Sequence, residues 1–320
     1  MEKYLLLLDT EIKRQRFGEK PMSLYEPIRY IMSLGGKRLR PVLTMLSYSM
    51  YRSDTEKIIQ YAVAVEAFHN FTLLHDDIMD NAPLRRGKAT VHEKWNVNTA
   101  ILSGDVMLVK VYNMFLDLGK DKLKEVLTLF NHCAAGVCEG QQWDMDFESK
   151  AKVTEAQYIE MIRLKTAVLL GFSLELGALL AEASLADRKI LYDAGINLGI
   201  GFQLKDDLLD VYADKKKFGK QVGGDIIANK KTFLLINALE KSKGKDKAEL
   251  QKWLKVEKFD AVKKVKAITA LYDTLSIKSL TEKKIEEYFE KGFAGLNNLS
   301  VKEAAKPLIS FAKDLADRQK

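Results

Sequence analysis

The sequence predicts an all-α protein, and three observations carry that expectation. Of the five prolines, Pro21, Pro27, Pro41, Pro83 and Pro307, none falls between residues 84 and 306, and proline is the residue least compatible with a helix interior. Apolar residues recur at helical spacing, as in Ile101, Met107, Val111 and Met114, and again in Ile196, Ile200, Leu204 and Leu208. No alternating apolar and polar run of useful length suggests a strand. About ten to thirteen helices suit a chain of 320 residues with this pattern. No repeat or low-complexity linker divides it, so one helical domain over residues 1–320 is expected.

The elements can be taken in order. Ser23 with Glu26 has the spacing of a capping box that would open a helix. Gly35 and Gly36 would end it, and Pro41 suits the first turn of the next. A long helix is expected from about Thr55 to Asn81, stopping before Pro83. Thr166 to Ala183 is strongly apolar but interrupted by Glu175, which suits a buried core helix and not a membrane span. Asp214 to Gly224 reads as a polar, glycine-containing loop.

Composition narrows the function classes. The formal net charge is +7, and much of the excess lies in a lysine-rich C-terminal third that includes Lys241, Lys243, Lys245, Lys247 and Lys263 to Lys266. These lysines lack interleaved aromatics, so a solvated surface is expected and not nucleic-acid binding. Leu5 to Leu8 is a short apolar patch flanked by charges, unlike a signal peptide. Cys133 and Cys138 fit no metal motif and give no disulfide framework. A reducing, cytoplasmic setting is expected.

Two aspartate clusters carry the chemistry: Asp76-Asp77-Ile78-Met79-Asp80 and Asp206-Asp207-Leu208-Leu209-Asp210. With an Asp at about one residue in fourteen, a D-D-x-x-D pattern arises by chance about 0.1 times per chain. Both clusters sit in apolar runs, after Phe71, Leu73 and Leu74 and after Phe202 and Leu204, where a solvated acidic face would not be expected. Residues four apart share a helix face, which pairs Asp76 with Asp80 and Asp206 with Asp210. Such carboxylates repel unless a cation lies between them. Mg²⁺ takes hard oxygen ligands, commonly one or two carboxylates plus substrate phosphates. Two facing clusters would therefore cage a magnesium-diphosphate.

Cations follow each cluster or stand apart at a turn. Gly35-Gly36-Lys37-Arg38-Leu39-Arg40-Pro41 places three of them at a glycine turn leading into a helix. Helix N-termini favour anions, and arginine forks match phosphate oxygens. Arg85-Arg86-Gly87 lies just after the first cluster, and Lys220 and Lys230 after the second. Glu66 and His69 form an E-x-x-H pair as in di-iron carboxylate bundles, but no second such pair accompanies it.

These motifs resemble the trans-isoprenyl diphosphate synthases of the polyprenyl synthetase family. The matching pieces are G-G-K-R-L-R-P at 35–41, E-A-F-H at 66–69, D-D-I-M-D-N-A-P-L-R-R-G at 76–87, K-T at 165–166, G-F-Q-L-K-D-D-L-L-D at 201–210, and F-G-K with G-G-D-I-I-A-N-K-K within 218–231. They occur in the family's order and span most of the chain. The resemblance implies a helical bundle around a deep central cavity, usually a homodimer. It implies that Asp76 and Asp80 bind two Mg²⁺ ions and that Asp206, supported by Asp210, binds a third. Lys37, Arg40, His69 and Arg86 would form the isopentenyl diphosphate site. Arg85, Lys165, Lys220 and Lys230 would contact the allylic diphosphate, and the oxygens of Thr166 and Gln203 would face the developing cation. The implied reaction ionises the allylic diphosphate, adds isopentenyl diphosphate head to tail and loses a proton, which in the family the departing diphosphate is thought to take. Loops around Pro83 and Asp214 to Gly224 would be lids that exclude water. His75 receives no role.

Product length is also open to a geometric reading. Phe71 lies five residues before Asp76, about 7.5 Å back along a helix, and Thr72 at four before is small. Within the family this pattern, with a two-residue spacer in the first cluster, resembles the geranylgeranyl-forming type. A farnesyl-forming or longer-chain synthase is the alternative. Three other readings are a class I terpene cyclase, a silent subunit of a heteromeric synthase and a helical polyanion binder. A cyclase would usually carry a different second motif, and a silent subunit would tend to lose aspartates or cations that this chain keeps.

Overall fold

A computed structural model describes residues 2–213 and 223–317. The described residues are helical almost throughout, as the proline gap and apolar spacing predict. In order, α1 is Glu2–Arg14, α2 Met22–Ser33 and α3 Leu39–Ser49; a 3₁₀ turn at Thr55–Ile58 leads into α4, Ile59–Met79. A two-stranded hairpin, β1 (Leu84–Arg85) and β2 (Lys88–Ala89), precedes α5 (Val91–Lys94), α6 (Val97–Phe115) and α7 (Lys120–Ser149). Then come α8 (Glu155–Ile162), a π-helical turn at Arg163–Ala167, α9 (Val168–Leu180) and α10 (Leu185–Tyr212). The last set is α11 (Gly224–Ile227), α12 (Phe233–Lys241), α13 (Gly244–Lys255), α14 (Ala261–Thr274), α15 (Ile277–Leu296) and α16 (Lys302–Ala316). Short pieces such as α5 and α11 add to the ten to thirteen helices expected.

The long helix predicted from Thr55 is present, and Gly35, at φ +76°, follows α2 where a left-handed residue terminates a helix. Pro41 lies in the first turn of α3. The capping box at Ser23 and Glu26 does not form. Pro21 stands at the N-cap, so the helix begins at Met22 and Ser23 is already inside it. A reciprocal box does form at Thr154 and Gln157, opening α8.

The contacts divide the chain into two compact units. The first comprises Met1–Cys133, Phe172–Tyr192 and Leu299–Leu308. Its centre is α4, where every residue from Ala62 to Phe68 is buried, as befits a helix apolar on all sides. Phe68 meets Phe130 edge to face at 5.0 Å, and Phe130 in turn packs on Phe115 and Phe172. Glu175, the charge that interrupts the apolar run, pairs with Arg188 at 3.3 Å.

The second unit comprises Ala134–Gly171, Asp193–Asn298 and Ile309–Lys320. Its helices approach closely at glycines. A Cβ on Gly140 of α7 would lie 2.2 Å from the Lys165 backbone nitrogen, and one on Gly199 of α10 would lie 2.6 Å from Ala167. The π turn that carries Lys165 and Thr166 is thus wedged between glycines of two helices. Phe202 packs on Phe289 of α15 at 5.3 Å.

Candidate active site

The first cluster ends α4. The Asp80 amide donates to the Asp76 carbonyl at 2.8 Å, so the helical turn continues through Asp80 and the two side chains share a face. Asp77, one step round the helix, points inward and is 2 % exposed. It receives the Arg85 fork: Nε lies 2.9 and 2.8 Å from its two oxygens, and Nη2 lies 2.7 Å from Oδ1. Burial raises the Asp77 carboxyl above its ordinary range, and the Arg85 guanidinium opposes that shift. Arg85 Nη2 also lies 3.8 Å from Asp76 Oδ2.

The hairpin exists to aim two arginines. Leu84 pairs with Ala89 and Arg85 with Lys88. The two turn residues, Arg86 and Gly87, have φ of +53° and +75°, as a type I′ turn requires. Tyr30 donates to the Ala89 carbonyl at 2.7 Å and Thr90 to the Ala82 carbonyl at 2.7 Å, which fixes the base of the hairpin. Arg85 then reaches α4, while Arg86 Nη1 donates to the Gly35 carbonyl. Gly36 has φ +137°, and a Cβ there would lie 2.8 Å from the Arg86 guanidinium carbon, so its lack of a side chain is required twice over.

Of the three cations at that glycine turn, one serves the fold. Arg38 is buried at φ +47° and donates to Glu66 at 2.7 Å, to the Met32 carbonyl at 2.9 Å and to Asp9 at 3.3 Å. Glu66 also receives Asn70 at 3.2 Å. It is therefore a counter-ion and not half of a di-iron pair. Lys37 is exposed, and Arg40 reaches His69, with Nη1 3.2 Å from Nε2. Arginine has only donors, so Nε2 accepts and the imidazole proton sits on Nδ1. Burial first, then Arg40, Arg86, Arg85 and Arg38, hold the His69 pKa well below its usual value. A neutral imidazole is what a ring among four guanidiniums must be. His69 and Asp76 are seven residues apart and share a face of α4, about 10 Å apart along the axis.

In the second unit α10 carries the other cluster. The pattern repeats: Asp206 is exposed, Asp210 half-buried, and the middle residue Asp207 only 5 % exposed. Asp207 takes hydrogen bonds from the Tyr158 hydroxyl and from Gln203 Nε2, the latter at 3.0 Å. Burial, then the charge of Asp225, pushes its pKa well above the ordinary range. Gln203 Oε1 accepts from Thr166 Oγ1 at 3.1 Å. Asp210 Oδ2 accepts the Asp225 amide at 3.0 Å, at the start of α11. Lys165, on the π turn, pairs with Asp144 of α7 at 2.6 Å; π turns are common at functional sites. Lys230 follows α11, its amide bonded to the Asp225 carbonyl at 2.9 Å. Lys220 lies outside the described residues.

The first unit thus brings Arg40, His69, Arg86 and Asp76 with Asp80 onto or beside α4. The second brings Thr166, Gln203 and the second cluster together. Phe71 is half-buried, edge-on to His75 at 4.9 Å and tilted against Phe68 at 5.7 Å. Thr72 bonds the His69 carbonyl at 2.8 Å. His75 lies over Gly104 of α6, where a Cβ would be 2.2 Å from its Nε2. Among the described residues no three His, Cys, Asp or Glu side chains converge enough to hold a metal unaided. The donors that face outward are carboxylates, which suits Mg²⁺ sharing its coordination with phosphate oxygens and water.

The polyprenyl synthetase family model matches residues 21–272. A short chain isoprenyl diphosphate synthase of Methanocaldococcus jannaschii is 41 % identical over 235 residues, 73 % of this chain and 71 % of that protein. A geranylgeranyl pyrophosphate synthase of Geoglobus acetivorans is 41 % identical over 236 residues, 73 % and 74 % of the two chains. A crystal structure of a geranylgeranyl pyrophosphate synthase superposes with a TM-score of 0.95 at 42 % identity, covering 100 % of this chain and 99 % of the other. The chain belongs to the polyprenyl synthetase family and is a prenyltransferase.

Proposed function

We propose that the protein catalyses the Mg²⁺-dependent head-to-tail (1′-4) condensation of isopentenyl diphosphate with an allylic diphosphate, and that its main product is geranylgeranyl diphosphate. The observation that carries this reading is one helix face. Asp76 and Asp80 end α4, and His69, hydrogen-bonded to Arg40, lies two turns earlier on the same side. Carboxylates for a magnesium-bound diphosphate end α4, and Arg40 of α3, a cation for a second diphosphate, is held by His69 on the same face of α4.

Lys37, Arg40, His69 and Arg86 bind isopentenyl diphosphate in this reading. Neutral His69 accepts from Arg40 and so aims it, and its Nδ1–H remains a donor for phosphate oxygen. Arg85, Lys165, Lys220 and Lys230 bind the allylic diphosphate. Lys165 would exchange its Asp144 partner for phosphate oxygens. Thr166 and Gln203 set their oxygens toward the allylic cation. Asp76, Asp80 and Asp206, with Asp210 in support, would hold three Mg²⁺ ions, which when bound supply positive charge to the leaving diphosphate.

The product assignment rests on Phe71 and Thr72 and on the similarity to geranylgeranyl pyrophosphate synthases. A homodimer and a single synthase domain over residues 1–320 complete the reading. Ile101, Leu102 and Val109 of α6, with Leu116 just past its end, expose apolar surface that a second copy would cover. A cytoplasmic setting agrees with the free thiols of Cys133 and Cys138. Among the described residues no helix is long and apolar enough to cross a membrane.

The test is incubation of pure protein with isopentenyl diphosphate and each allylic starter, with products sized by chromatography. Twenty-carbon product is expected. A fifteen-carbon or much longer main product would overturn the length assignment, and no condensation with any starter would overturn the reaction.

A further inference from the structure

We infer that Tyr158 is a positioning residue for prenyl transfer, acting through Asp207 to fix which end of the Gln203 amide faces the reacting carbon. The inference rests on the proposed reaction and deepens it. It begins from a chain of hydrogen bonds that runs through Asp207. Tyr158, 2 % exposed on α8, donates its hydroxyl to Asp207 Oδ2. Gln203 lies one turn before Asp207 on α10 and donates Nε2 to Oδ1 at 3.0 Å. Thr166, on the π turn, donates Oγ1 to Gln203 Oε1 at 3.1 Å.

Asp207 accepts from both the Tyr158 hydroxyl and Gln203 Nε2, so the NH₂ end of Gln203 lies toward Asp207 and its oxygen toward Thr166. An inverted amide would turn two N–H donors toward the place where positive charge develops. The Tyr158 hydroxyl occupies the second carboxylate oxygen, which keeps the carboxylate from rotating away from Gln203. No part of Tyr158 need touch substrate for this to matter. Its removal would leave a buried oxygen without a donor, a situation proteins rarely tolerate without rearrangement.

Tyr158→Phe deletes the hydroxyl alone. We expect kcat to fall roughly tenfold, the upper end of what one buried hydrogen bond is worth. The KM for isopentenyl diphosphate should stay within about twofold, since its binding residues are elsewhere. Asp207→Asn, which keeps the shape, should lower kcat similarly. The discriminating measurement is a double-mutant cycle. In a Gln203→Leu background, Tyr158→Phe should cost less than about twofold in kcat, because the group it positions is gone. Equal losses in both backgrounds would overturn the inference, as would an unchanged kcat in Tyr158→Phe.

A second readout does not depend on turnover. The Gln203 side-chain NH₂ signals, assigned by their absence in Gln203→Leu, should exchange with solvent about tenfold faster in Tyr158→Phe than in wild type. Unchanged exchange would overturn the inference. Absence of any prenyl product from the wild type would instead overturn the proposed reaction, and the exchange experiment would still decide whether Tyr158 fixes the amide.

Discussion

Replacing Glu66 with Ala removes the buried carboxylate that faces Arg38. The two side chains are 5 % and 3 % exposed and 2.7 Å apart. Breaking such a pair from one side costs about 3–5 kcal/mol, because the surviving charge is left buried. Arg38 would keep the Met32 carbonyl at 2.9 Å and the half-exposed Asp9 at 3.3 Å, so the lower end, about 3 kcal/mol, is expected. Equilibrium urea unfolding should then show the midpoint falling by about 1 M at an unchanged slope. The double variant Arg38→Met/Glu66→Leu should recover to within about 1 kcal/mol of wild type, since an apolar pair has no charge to desolvate. The pair also ties the Gly35–Pro41 turn to α4, so Glu66→Ala should raise the KM for isopentenyl diphosphate more than that for the allylic substrate. A loss under about 1 kcal/mol, or a double variant as unstable as the sum of the singles, would refute the reasoning.

Other predictions follow from the same geometry. The folded His69 pKa is depressed, so between it and the unfolded value near 6.5 the unfolded chain binds the extra proton, and stability falls as pH drops below about 6.5. The slope from this group can reach about 1.4 kcal/mol per pH unit; urea midpoints from pH 7.5 to 5.5 should be flatter in His69→Gln, which still accepts from Arg40. Phe71→Ala should lengthen the products and cost up to about 3–5 kcal/mol if the site is tightly packed, whereas Thr72→Phe should shift them to fifteen carbons; chromatographic sizing reads both. Lys37→Ala or Arg40→Ala should mainly raise the KM for isopentenyl diphosphate, and Lys165→Ala mainly that for the allylic substrate with a loss of turnover, each worth about 1.5–3 kcal/mol. Equal effects on both substrates in every variant would refute that division.

Much of the site was legible because its signal is periodic. Spacing alone put Asp76 with Asp80 and Asp206 with Asp210, and the helices α4 and α10 keep those pairs on one face. What spacing could not assign was the middle aspartate of each cluster. Asp77 and Asp207 sit a third of a turn off that face, where burial forces them to find partners; Arg85, 8 residues on, is brought back by the hairpin, and Tyr158 comes from 49 residues away. Three cations around Gly36 looked equivalent in one dimension; only packing shows that Arg38 is consumed by Glu66. The capping box at Ser23 failed because Pro21 starts the helix earlier, a competition between two local signals. The hairpin at Arg86-Gly87 was too short to give an alternating pattern, although its dipeptide fits a type I′ turn. The π turn at Lys165 has no periodic signature at all. Its trace in the sequence is indirect, in Gly140 and Gly199, which admit its backbone.

Turnover with isopentenyl diphosphate and an allylic diphosphate, followed with and without chelator in wild type, Asp76→Ala and Asp206→Ala, tests most directly whether the two aspartate clusters drive Mg²⁺-dependent prenyl transfer. Wild type should lose turnover in excess chelator and regain it on adding Mg²⁺. Each variant should be slower by several orders of magnitude at saturating Mg²⁺ while keeping its fold, because removing a carboxylate from a repelling cluster does not destabilise the free protein. Wild-type turnover that persists in excess chelator, or variants that turn over at the wild-type rate, would contradict it.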